Sequence, residues 1–192
     1  MILPAVKREK LTRAAERLLR QIPDGEGFSL LPGLADSVGM RGRVRVDSYE
    51  RVARTTYVIE DYYETGALLL RALIVAGMHK ECAMRVSYHP IHVGEPDAVC
   101  FGDAGVCFVL RDEGIESEGA IRMKRFVDAA ALREVRSRVR AQRRLYEGLV
   151  ESACDAFGEA GAYHMAMEQI YACSMDFDAE ERFAKSFCQR IV

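Results

Sequence analysis

Five arginines near the middle of the chain are the residues best suited to chemistry. They lie in a segment, residues 122–144, that holds nine Lys or Arg residues and two acids. They are Arg133, Arg136, Arg140, Arg143 and Arg144. Most are three or four residues apart, so on a helix they share one face beside an apolar face. Guanidinium groups stay charged and donate paired hydrogen bonds to phosphate oxygens, so the spacing predicts contact with a nucleic-acid backbone.

Two more basic groups occur in the first 54 residues, which carry eleven Lys or Arg and seven Asp or Glu. One follows the polar side of a predicted helix within residues 10–20. The other lies within residues 41–45, where arginines alternate with Gly42 and Val44, and it resembles a flexible arm. Gly42 would permit close approach of the backbone to a phosphate. We expect supporting contacts from five residues of these groups. They are Arg13, Arg17, Arg41, Arg43 and Arg45.

The remaining residues balance this charge, since the whole chain has a net charge of −2. Separation of this kind indicates an anionic partner at one surface. We therefore predict a non-enzymatic protein that binds nucleic acid, RNA or duplex backbone, without sequence specificity. An RNA-sequestering host- or virus-interaction protein would fit. We also expect a homo-oligomer, because acidic and basic regions of separate copies attract each other.

Two other interpretations of the basic helix remain open. Its arginines could be a solvated face that forms salt bridges with the acidic C-terminal helices. Alternatively, the chain could be a protein-interaction adaptor or chaperone whose basic helix binds an acidic partner.

A group of histidines and cysteines within residues 79–107 raises a third function, a small metalloprotein. The group comprises His79, Cys82, His89, His92, Cys100 and Cys107. Zinc prefers four such donors in a tetrahedral array, but no Cys-x2-Cys pair occurs and the spacing fits no closed site. We predict no metal and no cofactor.

Catalytic patterns are weak. A Cys–His nucleophile pair could be drawn from the same group, but no third residue is fixed to orient it. The sequence contains no phosphate-binding loop, dinucleotide fingerprint or nucleophile elbow. We predict that the chain is not an enzyme.

Six cysteines without regular spacing favour free thiols. The apolar run at the N-terminus is too short for a signal sequence, which favours a cytoplasmic location. The longest apolar stretch, Ala67 to Met78, is twelve residues and contains Arg71. A bilayer span needs about 20, so we expect no membrane partner.

Apolar periodicity predicts a mainly α fold, an amphipathic helix bundle with a small antiparallel β-hairpin near residues 84–110. Helices are expected over 7–21, from Tyr49 to about Met78, from Lys124 onward with breaks at Gly158 and Gly161, and from 178 to the end. Gly66 could kink or divide the second of these helices. The stretch between 22 and 46 is predicted to be mainly loop. An N-terminal region, 1–115, and a C-terminal helical region, 120–192, are predicted, which together could form one domain.

Overall fold

The computed structural model describes residues 5–40, 42–111 and 119–191. The helices in these ranges are α1 (Arg8–Leu19), α2 (Ser48–Val52), α3 (Gly66–His79), α4 (Ala129–Ala172) and α5 (Phe177–Ile191). The strands are β1 (Ser29–Gly33), β2 (Asp36–Gly39), β3 (Gly42–Arg45), β4 (Thr55–Glu60), β5 (Ala83–Tyr88), β6 (Pro96–Phe101), β7 (Val106–Arg111) and β8 (Ile121–Arg122). A 3₁₀ turn, Met123–Phe126, leads into α4.

Six strands form one mixed sheet in the order β1-β5-β6-β7-β4-β8. β5, β6 and β7 are antiparallel neighbours, whereas β1 pairs with β5, and β4 with both β7 and β8, in parallel. β2 and β3 form a separate antiparallel hairpin. The fold is therefore α/β, and the prediction of a mainly helical bundle is wrong.

The hairpin near residues 84–110 does form, as β6 and β7, but it is the centre of a larger sheet. Every residue of β6 is buried, which is typical of a strand covered on both faces. Val99 and Phe101 pack toward α3, while Ala98 and Cys100 pack into a smaller core on the other face. The β-favouring residues and the turn glycines predicted this hairpin, but not the parallel strands β1, β4 and β8 that complete the sheet.

The single helix predicted from Tyr49 to Met78 is replaced by α2, β4 and α3. The residues of β4 are mainly β-branched or aromatic, which favours an extended backbone. Tyr63 and Glu64 then adopt positive φ angles of 52° and 59°, which end any helical path before Gly66. The loop predicted before residue 46 contains β1, β2 and β3, and Pro32 is tolerated because β1 lies at the sheet edge.

Helix α1 confirms the prediction over residues 7–21 almost to its ends. Its buried side, including Leu11 and Leu19, packs against α3 and covers one face of the sheet. Burying a leucine contributes about 2–3 kcal/mol, so this layer supplies much of the driving force for folding. No helix among the described residues is long and apolar enough to cross a membrane.

Helix α4 is continuous over 44 residues, so the breaks predicted at Gly158 and Gly161 do not occur. Both glycines face Met40 at the tip of the β2–β3 hairpin. A β-carbon at Gly161 would lie 2.6 Å from the Met40 sulfur, whereas glycine lets the hairpin pack closely. The contact with Met40 therefore explains glycine at position 161, although glycine lowers helix propensity.

Candidate nucleic-acid interface

The start of α4 is fixed to the body of the protein by its N-cap, Asp128. Its carboxylate accepts hydrogen bonds from the backbone N–H groups of Ala130 and Ala131, at 2.9 and 3.2 Å. Lys7 Nζ lies 3.3 Å from the same carboxylate. The two backbone hydrogen bonds and Lys7 together hold the pKa of Asp128 below its ordinary value. The direction of α4 relative to α1 is therefore set at its first turn.

One side of the first half of α4 is buried against the body. Leu132 and Val139 are each 7% exposed, and Val135 is half-buried between them. Tyr146 stacks on His92, with ring centroids 4.8 Å apart. These contacts leave the neighbouring side facing solvent. The five predicted arginines of α4 all lie on that exposed side.

Most of these arginines have no acidic partner. Arg143 Nε lies 2.8 Å from a carboxylate oxygen of Glu147, one turn along the helix. In the part of the chain that the structure describes, the others take part in no ion pair. They are Arg133, Arg136, Arg140 and Arg144. The hypothesis of a face paired with the acidic C-terminal helices is thus supported only at Arg143.

Helix α1 brings a second basic group to the start of α4. The backbone N–H of Lys7 donates to the carbonyl of Phe126 at 2.8 Å, and Lys10 Nζ donates to the carbonyl of Arg125 at 3.0 Å. The charged groups of Lys10 and Arg125 also lie over the Phe126 ring, at 6.0 and 5.2 Å from its centroid. Arg13 lines an open depression of about 430 Å³ beside these residues, and Arg17 is exposed one turn further.

No match to this chain was found among protein-family models, curated proteins or solved structures. The geometry of the side chains is therefore the basis for a functional proposal.

The predicted arm is instead the β2–β3 hairpin, where Arg43 contacts a carboxylate and Arg45 lies near others. Arg41 lies outside the described residues. Arg43 Nε donates to the buried carboxylate of Asp36 at 2.6 Å. Arg45 is half-buried near Asp97 and Glu50. Arg43, whose side chain is 43% exposed, and the half-buried Arg45 thus belong to an ionic cluster at the hairpin and are not part of the arginine row on α4.

Burial governs the protonation of this ionic cluster. It lowers the pKa of Arg45, with Arg111 acting in the same direction, while the neighbouring carboxylates oppose the shift. It raises the pKa of Asp97, which the Ser87 hydroxyl and Arg45 partly offset. Burial also raises the pKa of the Tyr49 hydroxyl to about 12. Glu50 forms an ion pair with Arg111 beside them.

The histidines and cysteines of residues 79–107 do not converge. Among the described residues, no three His, Cys, Asp or Glu side chains lie close enough to hold a metal. His89 and His92 are neighbours, with ring centroids 4.7 Å apart. Cys100 and Cys107 face each other across β6 and β7, where a hydrogen bond between the thiols lowers the pKa of Cys100 and raises that of Cys107. His164 pairs with Glu168 at 3.0 Å on exposed α4.

Two features of the site were missed by sequence reasoning. Arg138 is exposed and lies on the opposite side of α4 from Arg140. A comparison of the two residues therefore tests whether binding depends on the position of an arginine or only on its charge. The acids of the cluster under the hairpin come from separate elements, and only Asp36 lies on the same hairpin as the arginines. A charge pattern cannot reveal partners that only the tertiary fold brings together.

Proposed function

We propose that this chain binds the phosphate backbone of nucleic acid, RNA or duplex, without sequence specificity and without catalysis. The observation that supports it best is the row of unpaired arginines on α4. Arg133, Arg136, Arg140 and Arg144 share an exposed side of a helix whose other side is anchored. Anchoring matters because the backbone that carries the arginines is already ordered before binding.

The length of the row suits a polyanion. Arg133 and Arg144 are eleven residues apart, which is roughly 16 Å along a helix. Duplex DNA advances 3.4 Å per nucleotide of a strand, so the row spans about five steps. The basic group on α1, at the same end of α4, extends this surface. Contacts of this kind position a backbone but do not distinguish bases.

The test is a salt series with labelled double- and single-stranded RNA and DNA. Each phosphate contact changes the slope of log K against log salt by about 0.9 for a duplex. The four unpaired arginines of α4 account for about −3.6 of the slope, contacts by α1 add to it, and Arg136→Gln, Arg140→Gln and Arg144→Gln together should make it shallower by about 2.7. Circular dichroism of the variant checks that α4 remains helical.

Two single variants form a matched control. Arg138 and Arg140 are both exposed on α4 but on opposite sides. Arg140→Gln should make the slope shallower by about 0.9, whereas Arg138→Gln should leave it unchanged. Equal effects of the two changes would mean that general positive charge, and not a defined surface, attracts the polymer. Absence of binding to all four nucleic acids at low salt would overturn the proposal.

A second probe distinguishes the adaptor hypothesis from nucleic-acid binding. Polyglutamate carries carboxylates, which arginine also binds. Tight binding of polyglutamate, together with no binding of RNA or DNA, would favour an acidic protein partner.

We also propose a cytoplasmic location, because all six cysteines, each within the described ranges, are free thiols, and a reducing compartment preserves them.

A further inference from the structure

The second half of α4 carries an exposed apolar row with a strict heptad spacing. Its members, here called the distal seam, are Leu149, Ala153, Ala156, Ala160, Tyr163, Met167 and Ile170. Steps of four and three residues alternate along the whole row, which is the seam pattern of a coiled coil. The four large members are 50–75% exposed. A seam of this kind packs against another helix with the same repeat.

No helix among the described residues covers the distal seam. α5 follows α4 after a short turn and is itself amphipathic, but no described residue of α5 is buried. Phe183 and Phe187, for example, are 70% and 52% exposed. The β2–β3 hairpin packs elsewhere on α4, at Gly158 and Gly161. The distal seam is therefore uncovered within the single chain.

The exposed area is large enough for an interface between copies. The chain exposes 13015 Å² at a mass of 21.5 kDa, whereas a compact monomer of this mass exposes roughly 9,200 Å². A stable interface takes about 800 Å² from each partner. The excess, roughly 3,800 Å², is spread over all sides of residues 147–189, nearly all of which are exposed, and about a fifth of it would meet that requirement.

The order of large and small residues along the seam is complementary to itself. When two copies run antiparallel with Ala156 opposite Ala160, Ala153 faces Tyr163 and Leu149 faces Met167. Small residues then meet small or large ones, and no two tyrosines collide. Of the acids in this half, only Glu159 is adjacent to the seam, and the two-fold axis places it beside Glu159 of the second copy, which is the one like-charge contact of the pairing.

We propose that the distal seam binds a second copy of this chain, as an antiparallel helix pair with two-fold symmetry. A two-fold interface uses the same patch on both copies, which the self-complementary order requires. The arginine row at the other end of α4 stays exposed in this dimer. Two such rows per assembly would then be available to one nucleic acid.

The first experiment measures the mass of the full chain by sedimentation equilibrium over a range of concentrations. The parent should be a dimer of about twice the 21.5 kDa chain mass. Leu149→Glu, Tyr163→Glu and Ile170→Glu together should raise the dissociation constant at least 100-fold. These positions are exposed in the single chain, so the variant should retain its fold.

A matched variant places three glutamates off the seam, at Ala162, Met165 and Gln169. It adds the same charge to the same helix at exposed positions, and it should remain a dimer. A monomeric parent would overturn the proposal and leave the seam to a different partner. A parent dimer that the seam variant does not weaken would also overturn it.

Disulfide trapping tests the orientation. In a background with Cys154, Cys173 and Cys188 changed to Ser, chains carrying Leu149→Cys should cross-link with chains carrying Met167→Cys. Chains carrying Leu149→Cys alone should not link to one another, since the two sites lie about 27 Å apart in the antiparallel pair. Self-linking of Leu149→Cys would overturn the antiparallel register.

Failure of the dimer is distinguishable from failure of nucleic-acid binding. The glutamates of the seam variant leave the arginine row unchanged, so a monomer would still bind RNA through four contacts with the same salt slope per chain. The arginine variants should in turn leave the dimer mass unchanged.

Discussion

The two halves of α4 carry the same apolar repeat but differ in what covers it. In residues 129–144, Leu132 and Val139 pack on the body, and the exposed side holds arginines. In residues 145–172 there is no Lys or Arg, five acids occur, and large apolar side chains are exposed. The repeat runs from Leu132 to Ile170 without a change of phase.

The difference teaches that a periodic apolar face predicts burial without saying which surface buries it. The first half of α4 packs into the main core of the chain through Leu132, Val135 and Val139. The second half extends past the sheet, so its repeat needs a surface from elsewhere. A charge change from basic to acidic at residue 145 coincides with this change of surroundings.

The largest expected effect contrasts one leucine from each half. Leu132→Ala removes a buried side chain and should lower the free energy of unfolding by about 2–4 kcal/mol at every protein concentration. Leu149→Ala should cost less than about 0.5 kcal/mol in dilute protein, because its side chain is exposed in the monomer. Its cost should rise with concentration as the dimer forms.

Urea unfolding at two concentrations a hundredfold apart measures both effects. Gln169→Ala, an exposed position off the seam, serves as the control and should change stability little at either concentration. A cost of Leu149→Ala that stayed below about 0.5 kcal/mol at both concentrations would mean that no second copy buries this side chain, whereas a large cost at both would mean that it is buried within the single chain.

The sequence predicted the helices whose periodicity is strong, such as α1 and the basic part of α4. It also predicted the hairpin of β6 and β7, where Gly102 and Gly105 mark the turn. It failed at β4, whose apolar residues also fit a helical repeat, and at β1, which is short and contains Pro32. Parallel pairing joins residues far apart in the chain, such as Ser29 with Ala83, and leaves no local signal.

The candidate site shows the same division between features that are local in the sequence and features that the tertiary fold creates. The arginine row on α4 could be predicted because its spacing is local to one helix. The surroundings of Arg43 and Arg45 could not, because Asp97 and Glu50 reach them from β6 and α2. Local charge density predicts exposure only when no acid from elsewhere in the fold is brought beside it.

A smaller effect on the free energy of unfolding is expected when the three glycines in the second half of α4 are changed to alanine. Alanine at Gly148 would meet no atom within 4 Å, and at Gly158 the nearest atom would be the Met40 carbonyl oxygen at 3.8 Å. Each change should stabilise the protein by about 0.5–1 kcal/mol, because alanine favours a helix over glycine. Gly161→Ala should gain less, since the Met40 side chain must move from 2.6 Å.

Thermal unfolding of the three variants measures these differences. In a Met40→Ala background the obstacle at Gly161 is removed, so Gly161→Ala should then give the same gain as Gly148→Ala. An equal gain in the parent background would mean that the hairpin does not contact this part of α4.

The smallest expected effect concerns the N-cap that fixes α4 to the body. Because the pKa of Asp128 is lowered on folding, its ionised form stabilises the protein above the ordinary carboxyl pKa of about 4. That contribution is lost as the pH falls through the lower folded value. Asp128→Asn keeps an oxygen that can cap the helix but cannot ionise.

The measurement is the difference in unfolding free energy between the parent and Asp128→Asn at pH 7 and at pH 3. The parent should be the more stable at pH 7, and the difference should narrow at pH 3, while other carboxyl groups contribute equally to both proteins. Lys7→Met removes the ion pair and should reduce the difference at pH 7 without abolishing it, because the two backbone hydrogen bonds are the larger causes of the shift. A constant difference across this range would mean that Asp128 caps α4 by geometry alone, and that its charge has no part in joining the basic half of α4 to the body.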